Sequence, residues 1–139
     1  MLAAWAAGYV GRRFHAGGRG DGALDCWGLV LAVYRDVFDI DLPDPMAGLA
    51  PSIETADVAL VACSRLPEWQ QPTSKAAPGD VVIMRMAGLP LHCGIAVSRT
   101  HMLHTLEGVG AIIEPFRGRA WANRLIGIWH HDGMGAANV

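Results

Sequence analysis

The chain predicts an α+β domain with its helices in the first half and an antiparallel sheet in the second. Three observations carry that reading. Apolar residues recur at helical spacing before residue 67, short apolar runs separated by turn residues follow Gly79, and an aspartate stands immediately ahead of the longest helical stripe.

In chain order, Leu2, Trp5, Ala6 and Tyr9 form a modest amphipathic helix over 2–10. This segment has only a superficial likeness to a signal-peptide core. No basic residue precedes it and Gly11-Arg12-Arg13-Phe14 is a poor cleavage region, so it is expected to stay as a first helix. Gly17, Gly18, Gly20 and Gly22 then make a glycine-rich loop from about 15 to 24. Asp25 is the expected N-cap of a buried helix over 26–38, with Cys26, Leu29, Val30, Val33 and Val37 on one stripe. Prolines and aspartates over 39–45 end it. A second amphipathic helix is expected over 52–66 and an irregular stretch over 67–78. The runs VVIMRM, CGIAVS, MLHTLE, AIIEPF and IGIWHH read as strands. Residues 1–132 thus form one domain, and 133–139 is expected to fray.

Bulk properties narrow the function. A chain of 139 residues, 52% hydrophobic and 17% charged, closes one core. A net charge of −2 with no basic run gives no electrostatic footprint for nucleic acid or an anionic membrane surface. The apolar stretches are too short and interrupted for membrane insertion by a helix. Three cysteines, Cys26, Cys63 and Cys93, without CxxC spacing make no disulfide framework.

Cys26 is the most informative residue. At the start of a capped helix its sulfur lies near free backbone N–H groups and the positive end of the helix dipole, which lowers a thiol pKa from about 8.5 and favours the nucleophilic thiolate. The bland alternative is that Cys26 merely opens a buried stripe, and Cys63 reads that way among its alanines and valines.

A cysteine nucleophile needs an imidazole base and often a third polar group to orient it. If Ser98, Arg99 and Thr100 form a three-residue turn, Val97 opposes His101 and Gly94 opposes His104. His92 then becomes a same-face diagonal neighbour of His104, at a backbone separation of roughly 7–8 Å that two imidazoles can bridge. A two-residue turn would put the two histidines on opposite faces. In the favoured register Cys93, Ile95 and His101 face away from the pair, and Cys93 is discounted as a core residue. His130 and His131 are expected at the surface. A metal site of His92, His101, His104 and a cysteine is an alternative, though the register separates His101 and no ligand-spaced motif is present.

The segment from Gly11 through Phe14, Gly17, Gly18 and the run Leu24-Asp25-Cys26-Trp27-Gly28-Leu29-Val30 resembles the nucleophile segment of the NlpC/P60 cysteine peptidases. The stretch Pro78-Gly79-Asp80-Val81-Val82, followed by His92-Cys93-Gly94-Ile95-Ala96-Val97 and Met102-Leu103-His104, resembles their histidine hairpin. The likeness spans roughly residues 5–130 and is nearest in look to small cell-wall peptidases of phage tails and gene-transfer agents. It implies a papain-like core, with the nucleophile helix packed on the sheet. It also implies Cys26 as nucleophile, His92 as general base and acid, and His104 as orienting residue, with no cofactor. The implied reaction is amide hydrolysis through a thioester acyl-enzyme on peptidoglycan stem peptides. Phage tail-tip proteins would be partners of a chain made in the bacterial cytoplasm and carried in the virion tail. Phe14 stands where many members have tyrosine, and Trp27 where many have serine. Of the residues that hold a stem peptide's free amino end in some relatives, only Asp25 is kept. Asp25, Trp27 and Phe14 are the candidate substrate-binding residues. The competing expectation is a structural tail-tip or hub protein that uses the same fold as an assembly surface.

Overall fold

The computed structural model describes residues 1–20, 23–44, 65–71, 75–86 and 89–134, with 89–91 by backbone alone. The expected helix over 52–66 and Cys63 fall almost wholly outside the described residues. The architecture is α+β, as the sequence predicts: one long helix packs on a six-stranded antiparallel sheet.

The helix α1 spans Cys26–Phe38, the bounds its stripe predicts. Asp25 caps it, its carboxylate accepting from Gly28 N, and Asp39 closes it in the left-handed region at φ 55°. Its inner face buries Leu29, Val30 and Val33, each at most 1% exposed. Such burial contributes about 1.5–3 kcal/mol per large side chain.

Ahead of α1, the glycine-rich loop holds a small hairpin, β1 (Arg19–Gly20) and β2 (Ala23–Leu24), where no regular element was expected. The loop backbone approaches the helix so closely that a Cβ on Gly28 would lie 2.2 Å from the Gly18 carbonyl oxygen. The first helix is shorter than its pattern suggests, a 3-10 helix over Ala4–Gly8; of its expected stripe Ala6 and Tyr9 are buried, Trp5 is half-buried and Leu2 is exposed.

The remaining strands are β3 (Trp69–Gln70), β4 (Val81–Met86), β5 (Leu89–Ala96), β6 (His101–Leu106), β7 (Gly110–Pro115) and β8 (Leu125–His131). Their order across the sheet is β3-β8-β4-β5-β6-β7. Both faces are covered. On the α1 side lie Val81, Ile83, Cys93, Ile95 and Leu103 with the helix residues, and on the other Val82, Met84, Met102, Phe116 and Trp121. Double coverage is why Val81, Val82, Ile83 and Met84 run apolar without alternation.

Three expectations need correction. His131 is not a surface residue: it is 8% exposed, wedged between the rings of Tyr34 and Trp69, and burial pulls its pKa down. His130 is half-buried, with Nδ1 2.7 Å from Oδ1 of the buried Asp80. Fraying does not extend to 133 and 134, because Asp132–Met134 forms a 3-10 turn and Met134 is 2% exposed against the core.

Candidate active site

The β5–β6 hairpin fixes the site. Ile95 pairs with Leu103 and Ala96 with Met102, and Val97 N donates to His101 O at 2.9 Å. This is the register of the three-residue turn, in which Gly94 falls opposite His104. A Cβ on Gly94 would lie 3.1 Å from that of His104, so the glycine gives the ring room. His92 and His104 therefore meet, with Nε2 of His92 2.8 Å from Nδ1 of His104. His101 is turned elsewhere, its Nδ1 2.8 Å from Thr100 Oγ1.

Cys26 is half-buried at the N-terminus of α1, the helix that packs on β5. Its thiol pKa is held well below the ordinary range. The largest cause is a hydrogen bond from Cys93, followed in the same direction by the hydrogen bond and charge of His92. Burial and the Asp25 carboxylate oppose them. Cys93, discounted as core, is indeed fully buried on the α1 side of β5, yet its hydrogen bond is the first cause of the lowered Cys26 pKa. Adjacent residues of one strand thus both lower the pKa of the Cys26 thiol.

The other end of the histidine pair holds two residues that the sequence reading missed. His104 Nε2–H donates to Glu114 Oε2 at 2.6 Å, and Trp121 Nε1–H donates to the same oxygen at 3.0 Å. The Trp121 ring stacks on His92, centroids 5.3 Å apart and planes 19° from parallel, and meets His104 edge-on. His104 has no exposed surface, and burial together with the neighbouring His92 lowers its pKa to about 4. The signal for Glu114 was present in the strand AIIEPF. Ile112 pairs with His104, so Glu114, two residues on, shares its face.

The candidate substrate-binding residues fare differently. Trp27 is only 2% exposed, packed into the core with its indole N–H donating to Pro43 O, so it has no surface to offer a substrate. Asp25 is committed to the fold. Oδ1 accepts from Gly28 N at 2.8 Å and from Arg19 Nη1 at 2.6 Å, and Oδ2 from Gly17 N at 3.2 Å. Arg19 in turn pairs with Asp44 at 2.7 Å. Phe14 is half-buried and follows Arg13, which bridges to Ala23.

The arrangement is a thiol with depressed pKa beside an imidazole that is backed by a second imidazole. That is the composition of a nucleophilic site. The model of the NlpC/P60 family matches residues 11–130. The chain belongs to the NlpC/P60 family. Among solved structures, an NLP/P60 lipoprotein-like protein from Staphylococcus aureus superposes with TM-score 0.63 at 22% identity, covering 91% of this chain and 38% of that one. NlpC1 from Trichomonas vaginalis gives TM-score 0.65 at 20% identity over 90% and 42% of the two chains. The NlpC/p60 domain of the peptidoglycan hydrolase SagA gives 0.56 at 20% identity over 82% and 86%. The fold is therefore the NlpC/P60 fold, and this chain spans about two fifths of the length of the first two of these structures. No protein of curated function matches the chain.

Proposed function

We propose that this NlpC/P60 domain is a cysteine peptidase that cleaves peptidoglycan stem peptides. The observation that carries the reading is the convergence of Cys26, His92 and His104, with the thiol pKa pulled down and the two imidazoles 2.8 Å apart. Cys26 attacks the scissile carbonyl as thiolate. The N–H at the start of α1 stabilises the oxyanion, helped by the positive end of the helix. His92 gives its proton to the leaving amine, leaving a thioester on Cys26. It then takes a proton from the attacking water, and the acid product leaves. His104 orients the His92 ring. The peptidoglycan hydrolase among the structural neighbours supports the choice of substrate.

The setting proposed is a phage tail tip, on the sequence likeness at the two motifs. There the protein reaches the wall with the particle and opens it locally. Particles carrying Cys26→Ala should assemble and fail at wall penetration; normal penetration by those particles, with assembly lost only when the protein is removed, would instead favour the structural role.

The test of substrate is mass spectrometry of muropeptides after digestion of purified peptidoglycan. Wild type should release new fragments, and Cys26→Ala and His92→Ala none, with folded-state circular dichroism retained. His104→Ala should keep measurable activity, because it orients and transfers no proton. Equal fragment release by wild type and Cys26→Ala would refute the mechanism.

A further inference from the structure

We propose that Glu114 is a positioning residue, which fixes the proton positions of both histidines so that Nδ1 of His92 is the nitrogen that takes the Cys26 proton. The argument follows the hydrogen bonds inward. A carboxylate only accepts, so the 2.6 Å contact puts a proton on His104 Nε2. His104 is neutral at ordinary pH, which leaves its Nδ1 with a lone pair. The contact of that nitrogen with His92 at 2.8 Å then requires His92 to carry its proton on Nε2. The nitrogen remaining to His92 for its hydrogen bond with Cys26 is Nδ1, which takes the thiol proton to give the thiolate and its imidazolium partner.

Every link is held against rotation. Trp121 Nε1–H grips the same Glu114 oxygen, and its ring lies flat against His92. Glu114 opposes Met102 on β6, so the adjacent strand sets its position. Without Glu114, the buried His104 is free to carry its proton on Nδ1. It would then donate to His92 Nε2 and force a proton onto the Nδ1 that must serve as base.

The catalytic consequence rests on the peptidase reading, but the proton positions do not. The experiment is therefore nitrogen-15 NMR of histidine-labelled full chain, in the Cys26→Ala background at pH 8, with kinetics on stem peptides in the Cys26 protein. Both His92 and His104 should appear with the proton on Nε2. In Glu114→Ala the two rings should show mixed proton positions, with kcat down by about tenfold or more and KM nearly unchanged. Glu114→Gln should keep the wild-type positions, since its amide oxygen still accepts from Trp121 and His104, and should recover most of kcat. A proton on Nδ1 of either histidine with Glu114 intact would overturn the proposal; that arm needs no Glu114 variant to fold. Unchanged positions and kcat in Glu114→Ala would overturn it equally. A wild type that cuts no stem peptide refutes the substrate reading, while the NMR signals still decide the role of Glu114.

Discussion

Residue chemistry at this site depends on which face of β5 each side chain leaves. His92 and Cys93 are neighbours in sequence and point to opposite sides, yet both lower the pKa of the Cys26 thiol. A hydrogen bond from the Cys93 thiol favours thiolate at Cys26, so Cys93→Ala should move the acid limb of the kcat/KM profile to higher pH. Cys93→Ser, which keeps a donor, should move it less; an unchanged profile in both would remove Cys93 from the site. The place of Cys26 at a capped helix start and the meeting of His92 with His104 were legible in the sequence because a helix cap and a hairpin register are local and countable. Cys93 and Glu114 were not, since their contacts depend on how α1, β5 and β7 sit in three dimensions. Trp27 was read as a substrate contact from its place after Cys26, whereas helical periodicity turns it into the core.

At the scale of elements, the first turn of α1 is tied down from the loop side. Asp25 holds Gly28 N, Gly17 N and Arg19 together, and the Gly18 carbonyl presses on Gly28. Asp25→Ala should lower stability by about 1–2 kcal/mol through loss of the cap, read as a shift in urea midpoint. Asp25→Asn, which keeps an acceptor for Gly28 N, should fall between the two. Gly28→Ala drives a Cβ into a backbone oxygen and should both lower the melting temperature and reduce activity, as the first turn of α1 is pushed from the loop. A melting temperature equal to wild type would show that the loop yields freely. The helix and the five longer strands were readable from period and turn residues. The pairs β1–β2 and β3–β8 were not, because two-residue strands carry no period.

For the whole molecule, the sheet buries polar machinery inside its own second core, and this has a consequence for stability against pH. His104 has its folded pKa lowered to about 4 from 6.5, so between those values the unfolded chain binds more protons than the folded one. Stability should be full above about pH 6.5 and decline as the pH falls toward 4. Urea midpoints of wild type and His104→Gln across that window check this: the wild-type decline should be steeper, and parallel curves would contradict it. The α+β class followed from helix-first, strand-later patterning. The buried His131 and Asp80–His130 pair did not, because polar residues at a strand end read as exposed until β3 covers them.

The central claim, that Cys26 is an activated nucleophile served by His92, is tested most directly by the pH dependence of its alkylation with iodoacetamide, followed by peptide mass mapping. Thiolate alone reacts, so the rate should hold steady to well below the ordinary thiol midpoint of about 8.5 before falling with pH, and His92→Ala should move that fall upward. A midpoint at or above about 8.5, unchanged by His92→Ala, would contradict the claim.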